Sequence, residues 1–428
     1  PAAWRPAPPV RAEAAGPGPD PARFAATAGG PSRPYSAIPT LPPTSWSLVV
    51  LPDTLLGNGF GIGVAGEDVV HRHGYAAAVT VRDEERRTEG FLAWTYRGLG
   101  RPVLGASVFQ EWGVAARAGQ LAGPGDVPIP SALLDRERSA SVVATFPRPR
   151  FRSFSWLSMG LNLRRLQYVW NDEAAAGGVG VPERPSDLGA VLTVGRSTAR
   201  GFDFSISQEE GWTNSLTVEG RRYTEPIGDA TEPQGYIRIA GRSQRYDAFG
   251  RVGFARPVLA ARVLAAADVG SRSPGFSVGG VYGSSVGTPL TTGLGIGGEM
   301  DFAVRGYPEA AQRGDRAVAA TIEYRHPLAL VERGYRLVPA FLDRLWAGAF
   351  AEGGAAWCLD DCPRVLTPSR EARPLFSVGA ELGTDLTVFY FANLALVGGV
   401  AVPLSEIDLG GAMGRPNPEA YVRIGRAF

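Results

Sequence analysis

The dominant pattern along the chain is an alternation of apolar and polar side chains with a period of two residues. In the segment "WLSMGLNLR", Leu157, Met159, Leu161 and Leu163 share one side, and smaller or polar residues share the other. Successive side chains of a β-strand point to opposite faces of its sheet, so this period predicts a strand. The segments "GYAAAVTVR", "FLAWTYR", "YIRIAGR" and "LFSVGAELG" repeat the pattern. An all-β chain is therefore predicted.

About 15 or 16 such segments, each roughly ten residues long, follow one another from Ser45 to Phe428. Residues rich in Gly, Pro, Asp, Asn or Arg separate them. The first segment is the weakest match to the pattern. The predicted strand cores are 45–51, 59–70, 74–83, 88–98, 102–113, 136–148, 154–168, 188–198, 211–222, 235–247, 257–269, 316–327, 344–356, 374–386, 388–402 and 418–428.

The two faces of these segments favour a transmembrane barrel over a soluble sheet. The polar face mixes small residues and glycine with single Arg or Glu residues, and the apolar face often ends in an aromatic residue. This distribution is typical of a barrel with lipid outside and water inside. Closure of the sheet into a barrel also gives every backbone N–H and C=O group a hydrogen-bond partner within the hydrocarbon. The soluble alternatives are a β-propeller or stacked sandwiches, and the sequence lacks the repeat of about 40 residues that a propeller needs.

The pattern divides the chain into two parts. Residues 1–43 are a tract rich in Pro, Ala and Gly that cannot bury a core, so we expect a linker or an extended lead-in. Residues 44–428 are the predicted barrel. An even number of antiparallel strands places both termini at one end of the barrel, so the long connection 270–315 falls at the opposite end. The chain begins with Pro1, and no export signal can be read from it.

Composition and candidate chemistry narrow the possible functions. The 43 basic and 42 acidic residues give a formal net charge of +1, which provides no basic field for nucleic acid. No uninterrupted run of about 18 apolar residues occurs, which argues against a helical membrane protein. No Ser is marked out beside a base, and the stretch "GLGIGG" lacks the strand–helix context of a phosphate loop. We predict no catalytic residue, no cofactor and no enzymatic activity.

The cysteines and histidines do not indicate a metal site. Cys358 and Cys362 lie close together in "CLDDCP", which favours a loop disulfide in an oxidising compartment. A zinc site would need further Cys or His residues nearby. His71 and His73 lie at a predicted hairpin tip, and His326 lies at a strand end before a proline.

Motifs in the last third of the chain resemble those of the BamA superfamily of outer-membrane barrels, the bacterial surface antigen type. The stretch "VRGYP" follows a Gly-rich stretch, "GLGIGGEMDFA", and precedes "GDRAVAATIEYRHPL". The later "FAEGG" is similar to the F-x-D-x-G strand motif of that family, with Glu in place of Asp. The stretch "FSVGAELGTDLTVFYFANLALVGGVAVPL" resembles the family's penultimate hairpin. The resemblance covers about residues 293–428. The strands upstream of it share only a general pattern with that family.

The resemblance implies that the loop before strand 12 folds back into the barrel lumen. Arg305 would form the tip of that loop together with Gly306 and Tyr307. Its partners on the barrel wall would be Glu323 in "IEYR" and Glu352 in "FAEGG", the motif that begins at Phe350. The alternation along "RAVAATIEYR" independently points Glu323 away from the apolar face. Such a pair would fix the position of the loop. The alternative is that Arg305 is a solvated loop residue and Glu323 a generic charge of the lumen.

The C-terminus also resembles that of outer-membrane proteins. Phe428 ends the alternating stretch "AYVRIGRAF", and Val422 and Ile424 lie on its face. A terminal Phe in this setting resembles the C-terminal signal of bacterial outer-membrane proteins. Arg426 interrupts the face, but its position near the strand end lets the charge reach the lipid headgroups.

The function implied by the resemblance is insertion or translocation of client proteins at the bacterial outer membrane. The implied partners are the lipid bilayer, client outer-membrane or secreted proteins, and periplasmic accessory subunits. A seam between the first and last strands would accept a client strand by edge pairing. Such barrels usually follow periplasmic POTRA domains, which residues 1–43 cannot form. The lead-in "YSAIPTLPPTSW" resembles connectors to other periplasmic domains, so one alternative is a membrane anchor or export channel for a fused or partner domain. A passive pore is the second alternative.

Overall fold

The computed structural model describes residues 35–51, 58–83, 87–117, 132–170, 186–226, 230–270, 273, 275–281, 302–308, 310–334, 340–359, 373–388, 392–408 and 413–424. Sixteen of its strands form one sheet, in which each strand hydrogen-bonds to its neighbours along the chain. All the pairings within it are antiparallel. None of the helices in these ranges is long and apolar enough to cross a membrane.

We number the strands of this sheet in chain order. They are β1 (Ser45–Leu51), β2 (Gly59–Glu67), β3 (His73–Arg82), β4 (Thr88–Tyr96), β5 (Val103–Arg117), β6 (Ala132–Arg150), β7 (Ser153–Trp170), β8 (Asp187–Ser197), β9 (Glu210–Tyr223), β10 (Gly235–Ala248), β11 (Val258–Gly270), β12 (Arg316–Gly334), β13 (Ala340–Trp357), β14 (Leu375–Val388), β15 (Ala392–Pro403) and β16 (Glu419–Ile424). Two small two-stranded sheets lie outside the barrel sheet. One pairs Phe276–Val278 with Gln312–Gly314, and the other pairs Ile407–Asp408 with Met413–Gly414.

Burial along the strands is inverted relative to a soluble protein. On β7, the side chains of Leu161 and Leu163 are 54% and 49% exposed, whereas Asn162 between them is 9% exposed. The same contrast recurs around the sheet: the outward face carries Leu92, Val142, Leu192, Ile237, Val263, Ile322 and Leu382, and the inward face carries Ser141, Glu219, Gln244, Arg262, Thr321 and Glu381. An apolar exterior around a polar lumen suits a bilayer. The fold is a 16-stranded transmembrane β-barrel, which confirms the predicted fold class.

The strand limits differ from the predicted cores mainly where strands are longer. β5, β6 and β7 continue past the predicted ends, to residues 117, 132 and 170. Near these ends the outward residues Arg136 and Gln167 interrupt the apolar face, whereas the hydrogen-bonded ladder continues to Leu133 and Trp170. The least certain predicted strand, β1, is present over the predicted residues 45–51. The long connection between β11 and β12 contains a pair of short antiparallel strands, Phe276–Val278 and Gln312–Gly314, that the pattern did not predict.

The connections at the two ends of the barrel differ in length. We call the end that carries Tyr35 and the end of β16 the near end, and the opposite end the far end. The near-end turns 68–72, 97–102 and 151–152 are short. The longest connection, 271–315, lies at the far end, as expected from the strand count. This asymmetry is the one found in outer-membrane barrels, whose periplasmic turns are short.

Candidate functional site

The connection between β11 and β12 folds back into the lumen. Its residues Phe302, Val304 and Tyr307 are between 0% and 1% exposed. They pack in one cluster with inward-facing residues of five barrel strands and with other loop residues: Ala240, Leu264, Ala266, Phe276, Val278, Ala317, Ala319, Ala356, Leu375 and Ile407. The short inward side chains on these strands leave room for the loop. The contact buries apolar surface of the loop against a wall that is otherwise polar.

Arg305 lies at the centre of this loop, with a side chain that is fully buried. Its guanidinium contacts one glutamate on each of three adjacent strands. Nη2 lies 2.9 Å from Oε1 of Glu323 on β12 and 2.6 Å from Oε1 of Glu352 on β13. Nη1 lies 2.5 Å from Oε1 of Glu381 on β14. The guanidinium carbon lies 3.4 Å from the centre of the Phe350 ring. Planar donors are thus placed between three carboxylates and stacked on an aromatic face.

The network around Arg305 is balanced in charge. Arg325, on β12, donates to Glu323 Oε2 from Nε at 3.0 Å and from Nη2 at 2.6 Å. Arg423, on β16, donates to Glu381 Oε2 at 2.9 Å. Three arginines therefore face three glutamates, counting Arg305 and Glu352. A buried carboxylate is costly unless it is paired, and here each has at least one guanidinium within hydrogen-bond distance.

The residues beside Arg305 fix the conformation of the loop tip. The backbone N–H of Arg305 donates to Glu352 Oε2 at 2.9 Å. Gly306 has a φ of +87°, and an added Cβ would lie 3.2 Å from the Cβ of Ala401. The Tyr307 hydroxyl donates to the carbonyl of Phe376 at 2.8 Å and accepts from the N–H of Ser405 at 2.8 Å. The tip is therefore tied to β14 and to the segment after β15, in addition to the glutamates.

The structure thus brings together Arg305 and the two glutamates that the sequence resemblance singled out. Phe350 also joins them, as the ring under the guanidinium. Glu381 was not among the predicted partners, although the alternation in "LFSVGAELG" places it on the inward face. This alternation was the sequence signal that could have identified Glu381 as a partner. No local pattern could have indicated that Arg423, near the C-terminus, reaches the same carboxylate.

A second group of charged residues lines another part of the lumen wall, on β7, β8 and β9. The guanidinium of Arg221 contacts Asp187, donates to Glu219 Oε1 at 2.5 Å and donates to the Asn162 side chain at 3.0 Å. Arg164 donates to Asp187 Oδ2 at 3.0 Å. These contacts join neighbouring strands across the wall. Sequence reasoning did not single out these residues, because scattered inward charges are ordinary in a barrel.

The near end of the lumen is filled by a different segment. The 198–209 turn, between β8 and β9, buries Ile206 against the inward-facing Trp346 of β13 and Val397 of β15, together with Ala255. The guanidinium of Arg344, on β13, donates to the Ser205 carbonyl of this turn. Three strands, β10, β11 and β12, separate β9 from β13 in the sheet order, so the turn reaches across the lumen. This contact was not predicted.

Two of the predicted features lie partly or wholly outside the described residues. Cys358 follows β13 and is not a free thiol, whereas Cys362 lies outside the described residues, so the predicted pairing of the two stays a prediction. Phe428 and Arg426 also lie outside them. Among the described residues, no group of three His, Cys, Asp or Glu side chains is arranged to hold a metal ion.

The chain is a transmembrane β-barrel whose lumen holds a loop tied to the wall by a buried arginine. Two solved structures, a CdiB and a BamA, have a similar fold. CdiB from Escherichia coli aligns with a TM-score of 0.53 at 11% identity over 89% of this chain. BamA from Haemophilus ducreyi lacking POTRA domains 1–3 aligns with a TM-score of 0.52 at 14% identity, also over 89% of this chain.

These similarities concern the fold. The chain spans 62% of the length of the CdiB structure and 70% of the BamA structure. No protein-family model matches the sequence, and no curated protein matches it.

Proposed function

We propose that the chain is an outer-membrane barrel that inserts or translocates client proteins, with a client strand pairing at the seam between β1 and β16. The fold similarity to two BamA-superfamily barrels supports this class of function. In the outer membrane, the near end of the barrel, with its short turns, faces the periplasm and the far end faces the exterior.

The observation that carries the proposal is the exposure of apolar side chains on the two end strands. Trp46 and Leu48 on β1 are 71% and 76% exposed, and Val422 on β16 is 75% exposed. Among the large apolar residues of the described strands, the next most exposed is Phe60, at 58%. A side chain at the edge of a sheet has a neighbouring strand on one side only. These values therefore favour a seam at which the edges of β1 and β16 are open to a further strand.

The filled lumen favours this proposal over a passive pore. The loop around Arg305 occupies the lumen at the level of the glutamates, and Ile206 of the 198–209 turn fills its near end. A pore would need an open aqueous path, so a closed resting state with steady low conductance is expected. Lateral pairing at the seam does not need an open lumen.

The experiment tests the seam by crosslinking. Cysteines are introduced at Val422 and, in separate variants, at Trp46 or Leu48, and the pair that forms a disulfide on oxidation is reconstituted in liposomes. The matched control carries cysteines at Ile62 and Val79, which are partners in the β2–β3 ladder. The client is an unfolded eight-stranded barrel polypeptide. Its folding is followed by its altered migration on unheated gels.

We expect oxidation of the seam pair to stop client folding and reduction to restore it. Oxidation of the Ile62–Val79 control should leave client folding unchanged, because that ladder does not open in the proposed mechanism. Equal client folding with the seam open and locked would contradict the proposal.

A further inference from the structure

The outward face of β6 and β7 carries arginines toward the far end. Arg138 on β6 and Arg165 on β7 are direct partners in the antiparallel ladder, and both are exposed. Arg136 lies on the same face of β6, two residues closer to the far end than Arg138. Like charges placed directly opposite each other on neighbouring strands repel, so this arrangement is unfavourable unless an anion lies between them.

The position of this pair relative to the bilayer follows from the ladder. Arg148 and Ser155 are partners near the opposite end of the same two strands. The outward residues between the two pairs are apolar: Ala140, Val142, Ala144 and Phe146 on β6, and Leu157, Met159, Leu161 and Leu163 on β7. Ten residues at about 3.4 Å each, tilted by about 45°, rise roughly 24 Å. That is close to the apolar band of an outer-membrane barrel, about 25 Å tall. Arg138 and Arg165 therefore lie at the far boundary of the hydrocarbon.

These arginines have neutral partners within the described part of the chain. Nε of Arg138 donates to the Gln110 side chain at 2.7 Å, and Nη2 of Arg136 donates to that of Gln167. Of the ion pairs found in the described residues, none includes Arg136, Arg138 or Arg165. This is unlike the inward Arg221, Arg305 and Arg325, which face carboxylates. The outward cluster thus keeps its positive charge available to an external anion.

An apolar groove begins directly at the arginines. One groove of about 650 Å³ is lined by Arg138, Arg165 and Gln110 at its polar end and continues over the apolar surface of β4–β7. A second groove of about 380 Å³ continues it and shares the small residue Ala140. Its lining includes the outward residues Leu92, Ala106, Val108, Val142, Leu161 and Leu188. The small alanines between larger side chains form the floor.

We propose that this surface binds a phosphorylated lipid of the outer leaflet. A headgroup phosphate lies between the guanidinium groups of Arg138 and Arg165, and an acyl chain lies in the groove over Ala140. Arginine is suited to this role because its planar donors match phosphate oxygens in pairs. The apolar groove favours a lipid over a soluble anion, because it supplies a site for a chain attached to the phosphate. The inference rests on the outer-membrane location in the proposed function and not on the handling of clients.

The test measures lipid binding by the purified barrel in neutral detergent, using native mass spectrometry. The probe is bisphosphorylated lipid A, compared with the same lipid after removal of its phosphates. The variants are Arg138→Gln/Arg165→Gln, which removes the charges, and Ala140→Trp, which fills the groove and leaves the charges in place. The matched control is Arg148→Gln, on the same face of the same strand but at the near boundary. Migration on unheated gels checks that each variant is folded.

Loss of charge-assisted hydrogen bonds should weaken retention of lipid A by roughly tenfold or more in the double variant. Arg148→Gln should bind as the unaltered protein does, and dephosphorylated lipid A should bind as weakly as lipid A does to the double variant. Ala140→Trp should also lower retention, which tests the site even if the double variant fails to fold. Equal retention by the double variant and the Arg148→Gln control would overturn the proposal. Displacement of lipid A by inorganic phosphate at equal concentration would overturn it as well, because the site would then bind a free anion. Both outcomes are independent of client folding.

Discussion

Replacement of Arg305 by alanine tests whether the buried ion network holds the loop in the lumen. In the intact protein, Arg305 contacts Glu323, Glu352 and Glu381 at 2.5–2.9 Å. The variant would leave three buried glutamates facing two arginines, Arg325 and Arg423. The site would carry an uncompensated negative charge at a position shielded from water.

The expected magnitude can be set against the contacts that remain. Breaking a buried ion pair by removing one partner costs about 3–5 kcal/mol. Because about 1.4 kcal/mol corresponds to a factor of ten, the ratio of docked to released loop should fall by roughly 150- to 5,000-fold. Burial of Phe302 and Val304 still contributes about 1.5–3 kcal/mol each. The hydrogen bonds of Tyr307 add about 1 kcal/mol each. We therefore expect the loop to leave its site in brief intervals and not to be released permanently.

Single-channel recording in planar bilayers measures this change. The unaltered barrel should show low, steady conductance, and Arg305→Ala should show intermittent openings. Arg305→Lys should lie between them, because one ammonium group cannot contact three carboxylates with a planar fork. Arg152→Ala, at an exposed near-end turn, is the control and should behave as the unaltered protein. If Arg305→Ala and Arg152→Ala gave the same quiet recordings, the network could not be what keeps the lumen closed.

Three further predictions concern other parts of the barrel. Ile206→Asp places a charge in an apolar cluster and should raise conductance and lower the melting temperature, and an unchanged recording would mean that the 198–209 turn does not obstruct the lumen. Gly306→Ala requires an alanine at a φ of +87° and should destabilise the docked loop by about 1–2 kcal/mol, measurable as an increase in openings. Burial alone would raise the pKa of Asp68, but hydrogen bonds from the Tyr35 hydroxyl and the His73 backbone N–H hold that pKa below its ordinary value. Such a carboxylate stabilises the fold above its unfolded pKa of about 3.9, and the contribution is lost as pH falls through the lower folded pKa. Tyr35→Phe should therefore lower the melting temperature more at pH 7 than near pH 3, and an equal deficit at both would contradict this.

Much of the barrel could be predicted from the sequence because a strand's period is a local property. Alternation along β7 and β12 identifies which residues face lipid and which face the lumen, and it fixes the inward position of Glu323 without any tertiary contact. The same parity placed Glu381 inward. The extended parts of β5, β6 and β7 were missed because hydrogen bonding continues beyond polar outward residues, among them Arg136 and Gln167, that interrupt the alternation.

Only the tertiary structure decided which inward residues meet. The alternation along a strand assigns each side chain to a face of the sheet, but it carries no information on distances across the lumen. The approach of Arg423 to Glu381 and the burial of Ile206 against Trp346 join segments that are far apart in the chain. Such contacts depend on the curvature of the whole sheet and on the paths of the connections through its interior. The sequence alone determined the strands, their faces and the candidate arginine of the loop. Closure of the barrel interior by two segments, and a guanidinium held by three strands, arise only when all 16 strands are in place.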